Sequence, residues 1–363
     1  MKTASLITVH VGANFGSVLQ TIASCEILGN YDYRTTVVNY IPDRITNKRI
    51  LLIFIKGCTS ARGIARGIVH LINHFINKYI YSKYLSSHCK LSTPIYSKDI
   101  FRLKCPNADI YVTGSDQVWN CQHNEGIDTH YFWGGIEGRK IAYASSIGAS
   151  ELTEQEEKSF KHYLSEYKAI SVRELKAVEL LKKIGIKSSL VLDPTFMLNR
   201  EEWKKYASKR IIKEPYILSY LPYNIVDKEL IYRTVYKIAK EKNLKVVTFS
   251  WNWNKDQFAD KTVRFSSPGD FLSLMIYADY VVTNSFHGTA FSVNLNKEFW
   301  VYMPSKFPSR IESVLTLCGL EDRVLTSEIT ATQMKQEIDY RRINDILESE
   351  REKAKNFLKE SLS

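Results

Sequence analysis

The chain reads as an α/β protein with parallel sheets flanked by helices, divided into two domains. Three observations carry that reading. Short β-like runs alternate with longer amphipathic runs along the chain, the pattern of strand–helix–strand units. The stretch Tyr280-Val281-Val282-Thr283 reads as a short buried strand that runs into Asn284-Ser285-Phe286-His287-Gly288-Thr289-Ala290, where a helix opens. With 363 residues, 44% hydrophobic and 25% charged, the chain is long enough for two buried cores and has a globular composition.

Taken in order, strands are expected over 6–9, 35–39, 110–113, 140–144, 169–172, 190–192, 216–220, 245–249, 279–283 and 299–302. Helical periodicity is expected over 18–28, 154–167, 175–184, 228–241, 269–277, 289–295, 309–317 and 343–358. The charged, strand-poor stretch 199–215 separates the two sets, which places an N-terminal domain at 1–205 and a C-terminal domain at 206–363. A terminal helix bearing Ile343, Ile346, Leu347, Phe357 and Leu358 is expected to pack back across both. The first residues have too short an apolar run for a signal peptide and read as the first strand. Cys25, Cys58, Cys89, Cys105, Cys121 and Cys318 form no CxxC pair, so neither zinc nor a disulfide framework is indicated and a reducing cytoplasm fits.

The net charge of +11 is concentrated in one segment. Between Arg44 and Lys98 there is no Asp or Glu, while Arg44, Lys48, Arg49, Lys56, Arg62, Arg66, Lys78, Lys83, Lys90 and Lys98 are all basic. The same segment carries Ile50-Leu51-Leu52-Ile53-Phe54-Ile55, then Ile64, Ile68, Leu71, Ile72, Phe75, Ile76 and Ile80 at helical spacing. A basic helical insertion at about 44–104 follows, either packed with a solvated basic face or attached to an anionic membrane surface. No run reaches the roughly 18 apolar residues of a membrane span. Nucleic-acid binding has no supporting motif.

Chemistry collects at strand ends, where helix N–H groups open into the crevice of an α/β sheet. Ser285, His287 and Gly288 follow one strand. After the first strand, Gly12-Ala13-Asn14-Phe15-Gly16-Ser17-Val18-Leu19-Gln20 suits an anion or a sugar, although Asn14 and Gln20 also fit turn and surface roles. It is neither GxGxxG nor a P-loop. Gly114-Ser115-Asp116-Gln117-Val118-Trp119-Asn120 offers Asp116 as a general base or hydroxyl ligand and Trp119 as a stacking face; a Ser/Asp turn beside a core Trp is the alternative. Ser146 lies in Tyr143-Ala144-Ser145-Ser146-Ile147-Gly148. Arg173 ends a strand and matches carboxylate or phosphate oxygens, or else pairs with Glu174 or Glu179. Trp251 and Trp253 are either sugar platforms or core.

Together these segments, with Ser171-Val172-Arg173-Glu174, Leu192-Asp193-Pro194-Thr195 and the tail from Arg310 to Arg323, resemble the polysaccharide pyruvyl transferase family, in order from about residue 5 to 325. The resemblance implies two Rossmann-like domains in a GT-B-like arrangement with a cleft between them. It also implies transfer of the enolpyruvate-derived group of phosphoenolpyruvate to sugar hydroxyls as a ketal. It carries Arg173 and His287 over as donor-binding and catalytic positions. Asn284 stands where the family often has Asp, so a carboxylate role there is in doubt.

On this reading phosphoenolpyruvate is a co-substrate rather than a cofactor. It is bound by Arg173, His287, Gly288, Ser285, Asn14, Gly16 and Ser146. His287 acts as general acid or phosphate partner and Asp116 accepts the hydroxyl proton, with Arg173 completing the catalytic set. Asp116, Gln117, Trp119, Trp251 and Trp253 face the acceptor, a sugar or lipid-linked oligosaccharide used in surface or capsular polysaccharide synthesis. No metal is called for. A cytoplasmic enzyme follows, peripheral on the inner membrane face if the basic segment attaches there. The rivals are a glycosyltransferase using a sugar nucleotide and a non-catalytic surface-associated binding protein.

Overall fold

Runs rich in Ile, Val and Tyr form the strands, and every pairing in the two main sheets is parallel. The computed structural model describes residues 1–57, 60–97, 100–224, 227–305 and 307–363. Cys58, Lys98 and the side chain of Lys56, named above, lie outside the described residues. The chain divides into unit 1, Met1–Met197 with Glu350–Ser363, and unit 2, Leu198–Ser349.

Unit 1 contains β1 (Lys2–Ile7), α1 (Phe15–Gly29), β2 (Tyr33–Val37), β3 (Tyr40–Ile41), α2 (Asn47–Gly57), α3 (Ala61–His88), β4 (Ile95–Tyr96) and α4 (Phe101–Lys104). It continues through β5 (Ile110–Thr113), α5 (Cys121–Asn124), β6 (Lys140–Ser145), α6 (Glu154–Leu164), β7 (Tyr167–Val172), α7 (Leu175–Lys183) and β8 (Ser189–Leu190). Its six-stranded sheet runs β2-β1-β5-β6-β7-β8, so the winding reverses between β1 and β5. In sheets of this kind a ligand crevice opens at that switch point, at the carboxyl ends of the strands. The helix expected over 154–167 stops at Leu164, because Tyr167 begins β7 and its hydroxyl lies 2.7 Å from Thr113 Oγ1 in the core. A Thr153–Glu156 capping box sets the start of α6.

The basic segment forms α2 and α3. The second half of α3 packs on α1, with Tyr81 and Leu85 buried and Tyr81 stacked on Phe15 of α1 at 5.4 Å. Its first half and α2 carry exposed apolar side chains: Leu51, Leu52, Ile53 and Ile55, then Ile64, Ile68, Ile72, Phe75 and Tyr79 along one helical stripe. Phe54 packs on α3 at Gly67, where any side chain would collide with its ring. Among the described residues no helix is long and apolar enough to cross a membrane.

Unit 2 contains α8 (Arg200–Lys204), β9 (Tyr216–Tyr220), α9 (Lys228–Lys242), β10 (Lys245–Ser250), β11 (Lys261–Arg264), α10 (Pro268–Tyr277), β12 (Tyr280–Thr283), α11 (Phe286–Asn294), β13 (Glu298–Val301), α12 (Ser309–Cys318) and the start of α13 (Tyr340–Leu362). The sheet order β11-β10-β9-β12-β13 reverses between β9 and β12. The edge strand β11, not expected from the sequence, is four residues long with a Lys and an Arg at its ends, which keeps an open edge from pairing with other chains. Residues of α13 from Glu350 onward belong to unit 1, where Lys355 O and Leu362 O accept from the Tyr31 and Tyr33 hydroxyls at 3.0 and 3.3 Å.

Candidate active site

At the switch point of unit 1 the chain ends of β1 and β5 are tied together by buried polar contacts. Thr8 Oγ1 donates to Ser115 O at 2.6 Å, and Gln20 Nε2 donates to Thr8 Oγ1 at 2.9 Å and to Ser17 O at 2.9 Å. Gln20 therefore acts as an internal brace. Asn14 is the N-cap of α1, its side chain accepting from the Ser17 N–H at 3.2 Å. His10, at the same strand end, has its pKa lowered by burial, so it is held toward the neutral form.

Asp116 sits in the left-handed region, φ +69°, directly after the glycine and serine that follow β5. Such a conformation is uncommon outside glycine and gathers at functional sites. Its carboxylate is nearly buried and held on three sides. Ser17 Oγ donates to Oδ2 at 2.5 Å, the Gln117 N–H donates to Oδ1 at 2.9 Å, and Arg173 Nη2 donates to Oδ1 at 3.4 Å.

Arg173 is enclosed. Nη1 donates to Asp193 Oδ2 at 2.5 Å and to Ser115 Oγ at 3.0 Å. Burial opposes its charge, but Asp193, Asp116 and Glu174 outweigh that effect and its pKa is raised. The partner is Asp193 rather than the Glu174 or Glu179 suggested by sequence proximity. Glu179 pairs with Lys176 at 2.9 Å. Glu174 instead accepts from Ser146 Oγ at 3.1 Å, Ile147 N at 2.9 Å and Gly148 N at 2.6 Å, fixing the loop after β6. That leaves Ser146 bonded to a carboxylate. Ala144, with φ +53°, and a register shift between β6 and β7 put the Ser145-Ser146 turn in this position.

The remaining acceptor candidates part company. Gln117 Oε1 accepts from Asn120 Nδ2 at 2.6 Å, beside Gly148. Trp119 is 1% exposed and stacks on Phe132 at 5.6 Å, with its Nε1 donating to Tyr131 O. Its ring is part of the unit 1 core and presents no open face to a sugar. Ser17, Ser115, Glu174 and Asp193 join the cluster without having been singled out as site residues. Asp193, Asp116 and Glu174 all lie close enough to the Arg173 guanidinium to raise its pKa, so carboxylates gather at this strand end.

In unit 2 the corresponding loop follows β12. Thr283 Oγ1 donates to Tyr220 O at 2.7 Å and accepts from the Ser285 N–H at 3.1 Å, joining the ends of β9 and β12. Ser285 caps α11, accepting from the Gly288 N–H at 3.3 Å. A side chain at Gly288 would meet Thr283 Oγ1 at 2.2 Å, so only glycine lets the helix approach the sheet this closely. His287 is buried in the first turn of α11, its ring edge-on to Phe286 at 4.9 Å. Asn284 donates to Tyr223 O at 3.1 Å and accepts from Tyr223 N at 3.4 Å. An Asp would lose the donor half of that clamp, which gives the amide a structural reason to stand here. Trp251 is half-buried against Tyr220 and Phe249, whereas Trp253 is 58% exposed and packs edge-to-face with Phe265 at 4.7 Å. Among the described residues no group of three His, Cys, Asp or Glu is placed to hold a metal ion.

A family model described as polysaccharide pyruvyl transferase matches residues 14–305. The chain belongs to that family. No curated protein matches it. Among solved structures, a UDP-N-acetylglucosamine 2-epimerase is 12% identical with a TM-score of 0.53, covering 100% of this chain and 95% of that one. UDP-GlcNAc 2-epimerases from Neisseria meningitidis, bound to UDP-GlcNAc, and from Methanocaldococcus jannaschii are 12% and 10% identical, with TM-scores of 0.48 and 0.47. They cover 98% and 96% of this chain, and 94% and 92% of their own. For this family member the similarity at a TM-score of 0.53 concerns the fold, an α/β chain of two parallel sheets in the GT-B-like class.

Proposed function

We propose that the protein transfers the enolpyruvate-derived group of phosphoenolpyruvate onto two hydroxyls of a polysaccharide sugar, forming a pyruvate ketal and releasing phosphate. Family membership carries this reading, and the buried Asp116 network supports it. A proton goes to the methylene carbon, positive charge grows on the neighbouring carbon, and an acceptor hydroxyl bonds to that carbon. Phosphate then leaves with its bridging oxygen, and the second hydroxyl bonds to the same carbon and closes the ketal, its proton passing to the departing phosphate. Asp116 takes the proton of the attacking hydroxyl, for which an acidic cluster with a fixed carboxylate is suited. Arg173 is a positioning residue that holds Asp116, its guanidinium being engaged by Asp193. His287, with the N-terminal turn of α11, serves the anionic donor as acid or phosphate partner.

The test is thermal stabilisation by phosphoenolpyruvate against a panel of sugar nucleotides, in wild type and His287→Ala. A ligand at 100 times its dissociation constant adds about 2.7 kcal/mol. Stabilisation by phosphoenolpyruvate that is lost in the variant is expected. A response to nucleotides alone would replace this reading with sugar-nucleotide chemistry.

The α2–α3 surface fits a lipid-linked acceptor. Its exposed Ile64, Ile68, Ile72 and Phe75 stripe lies in a segment with no acidic residue, and Lys48, Arg62, Arg66 and Lys83 are exposed with it. Such a face is complementary to an anionic membrane surface, where each nearby basic residue adds about 1 kcal/mol. Reversing those four charges to Glu is expected to lower cosedimentation with phosphatidylserine vesicles by at least about 100-fold at low salt. Undiminished binding, or equal binding to neutral vesicles in high salt, rejects the assignment.

A further inference from the structure

Three arginines of the described chain are almost wholly buried, and two of them have carboxylates. Arg173 has Asp193 and Asp116, and Arg323 has Glu298 at 3.2 Å together with Gln336 O. The third, Arg310, is 3% exposed and has no ion-pair or hydrogen-bond partner among the described residues; its buried Nε is unsatisfied. It rises from the first turn of α12, and its guanidinium lies over the Phe286 ring at 5.6 Å and near the Phe307 ring at 6.0 Å. Phe286 opens α11, and its ring touches that of His287. The guanidinium is therefore set beside the N-terminal turn of a nine-residue helix whose first turn contains no acid. Glu312, the one acid on α12, is exposed.

A guanidinium stays charged in any protein environment. Stacking on aromatic rings offsets only part of the loss of its water, because a buried charge is normally retained with a counter-charge. Here the missing counter-charge has two donors already facing it, the planar fork of Arg310 and the positive end of α11. The two rings lie against the fork at 5.6 and 6.0 Å and restrict where it can sit. We infer that Arg310 is the oxyanion ligand of unit 2, taking a phosphate or carboxylate group against the first turn of α11. Resting on the proposed function, that group belongs to phosphoenolpyruvate. The acidic Asp116 cluster then serves hydroxyls, so donor and acceptor recognition are divided by charge.

The experiment compares wild type, Arg310→Met and Arg310→Lys by melting temperature and by titration with phosphoenolpyruvate, inorganic phosphate and pyruvate. A ligand-binding arginine without an internal partner is a burden to the empty protein. Arg310→Met is therefore expected to melt at or above the wild-type temperature while binding phosphoenolpyruvate about 10- to 100-fold more weakly. Arg310→Lys, which keeps the charge but loses the fork, is expected to fall between the two, and it serves alone if the Met variant does not fold. Loss of the inorganic phosphate response assigns the phosphoryl group to Arg310; loss of the pyruvate response assigns the carboxylate. Unchanged phosphoenolpyruvate affinity in both variants, or a wild type that responds to none of the three probes, overturns the inference. Phosphate binding that depends on Arg310 in a protein indifferent to phosphoenolpyruvate keeps the oxyanion site and rejects the pyruvyl reading.

Discussion

Arg173→Met is expected to destabilise unit 1 by about 3–5 kcal/mol, because it removes the guanidinium that ion-pairs with the buried Asp193 and Asp116. Both Arg173 and Asp193 have side chains at most 1% exposed, so water does not replace the lost partner. Thermal or chemical denaturation monitored in unit 1 should show a midpoint lower by on the order of 10 °C. The double variant Arg173→Met/Asp193→Leu separates charge from packing. Removing both members leaves only Asp116, which keeps the Ser17 hydroxyl and the Gln117 N–H. The double variant should therefore be more stable than the sum of the two single changes predicts, by roughly 1–3 kcal/mol. Additivity would mean that Arg173 packs rather than pairs, and it would remove the argument that Arg173 positions Asp116.

That pair also marks how far the sequence reaches. The strand-to-helix turns at Asn14, Asp116 and Ser285 were legible because their signals are local: an apolar run, a glycine and a capping side chain within a few residues. Both switch points fall on those turns, so the alternation of strands and helices was enough to put candidate chemistry at the carboxyl edges of the sheets. Partners across the sheet were not legible. Asp193 lies 20 residues after Arg173 and Ser17 lies 99 before Asp116; parallel topology brings each pair together, and no spacing rule connects them. Trp119 shows the complementary limit, since an aromatic three residues from a candidate base has the same local signature in a core or on a rim. Its ring stacks on Phe132, thirteen residues along the chain, while its backbone N–H donates to Ser146 O. Arg310 was visible as part of a motif, but the absence of a counter-charge is a property of packing alone.

Asp116→Asn is expected to lower ketal formation about 100- to 10,000-fold while leaving the melting temperature nearly unchanged. Asparagine is the appropriate substitution for a residue at φ +69°, because it tolerates the left-handed region that Ala or Val resists. Its side-chain oxygen can still accept from the Ser17 hydroxyl or from the Gln117 N–H, so the turn should survive. What the amide cannot do is take a proton from an acceptor hydroxyl. Phosphoenolpyruvate binding should stay close to wild type, since the negative cluster around Asp116 is not the donor's counterpart. His287→Ala is expected to show the opposite split, with weakened phosphoenolpyruvate binding accompanying the loss of turnover. Full turnover in Asp116→Asn would reduce Asp116 to a turn residue held by Arg173 and return the base to another group at the unit 1 switch point, of which His10, buried and held toward its neutral form, is the nearest in kind.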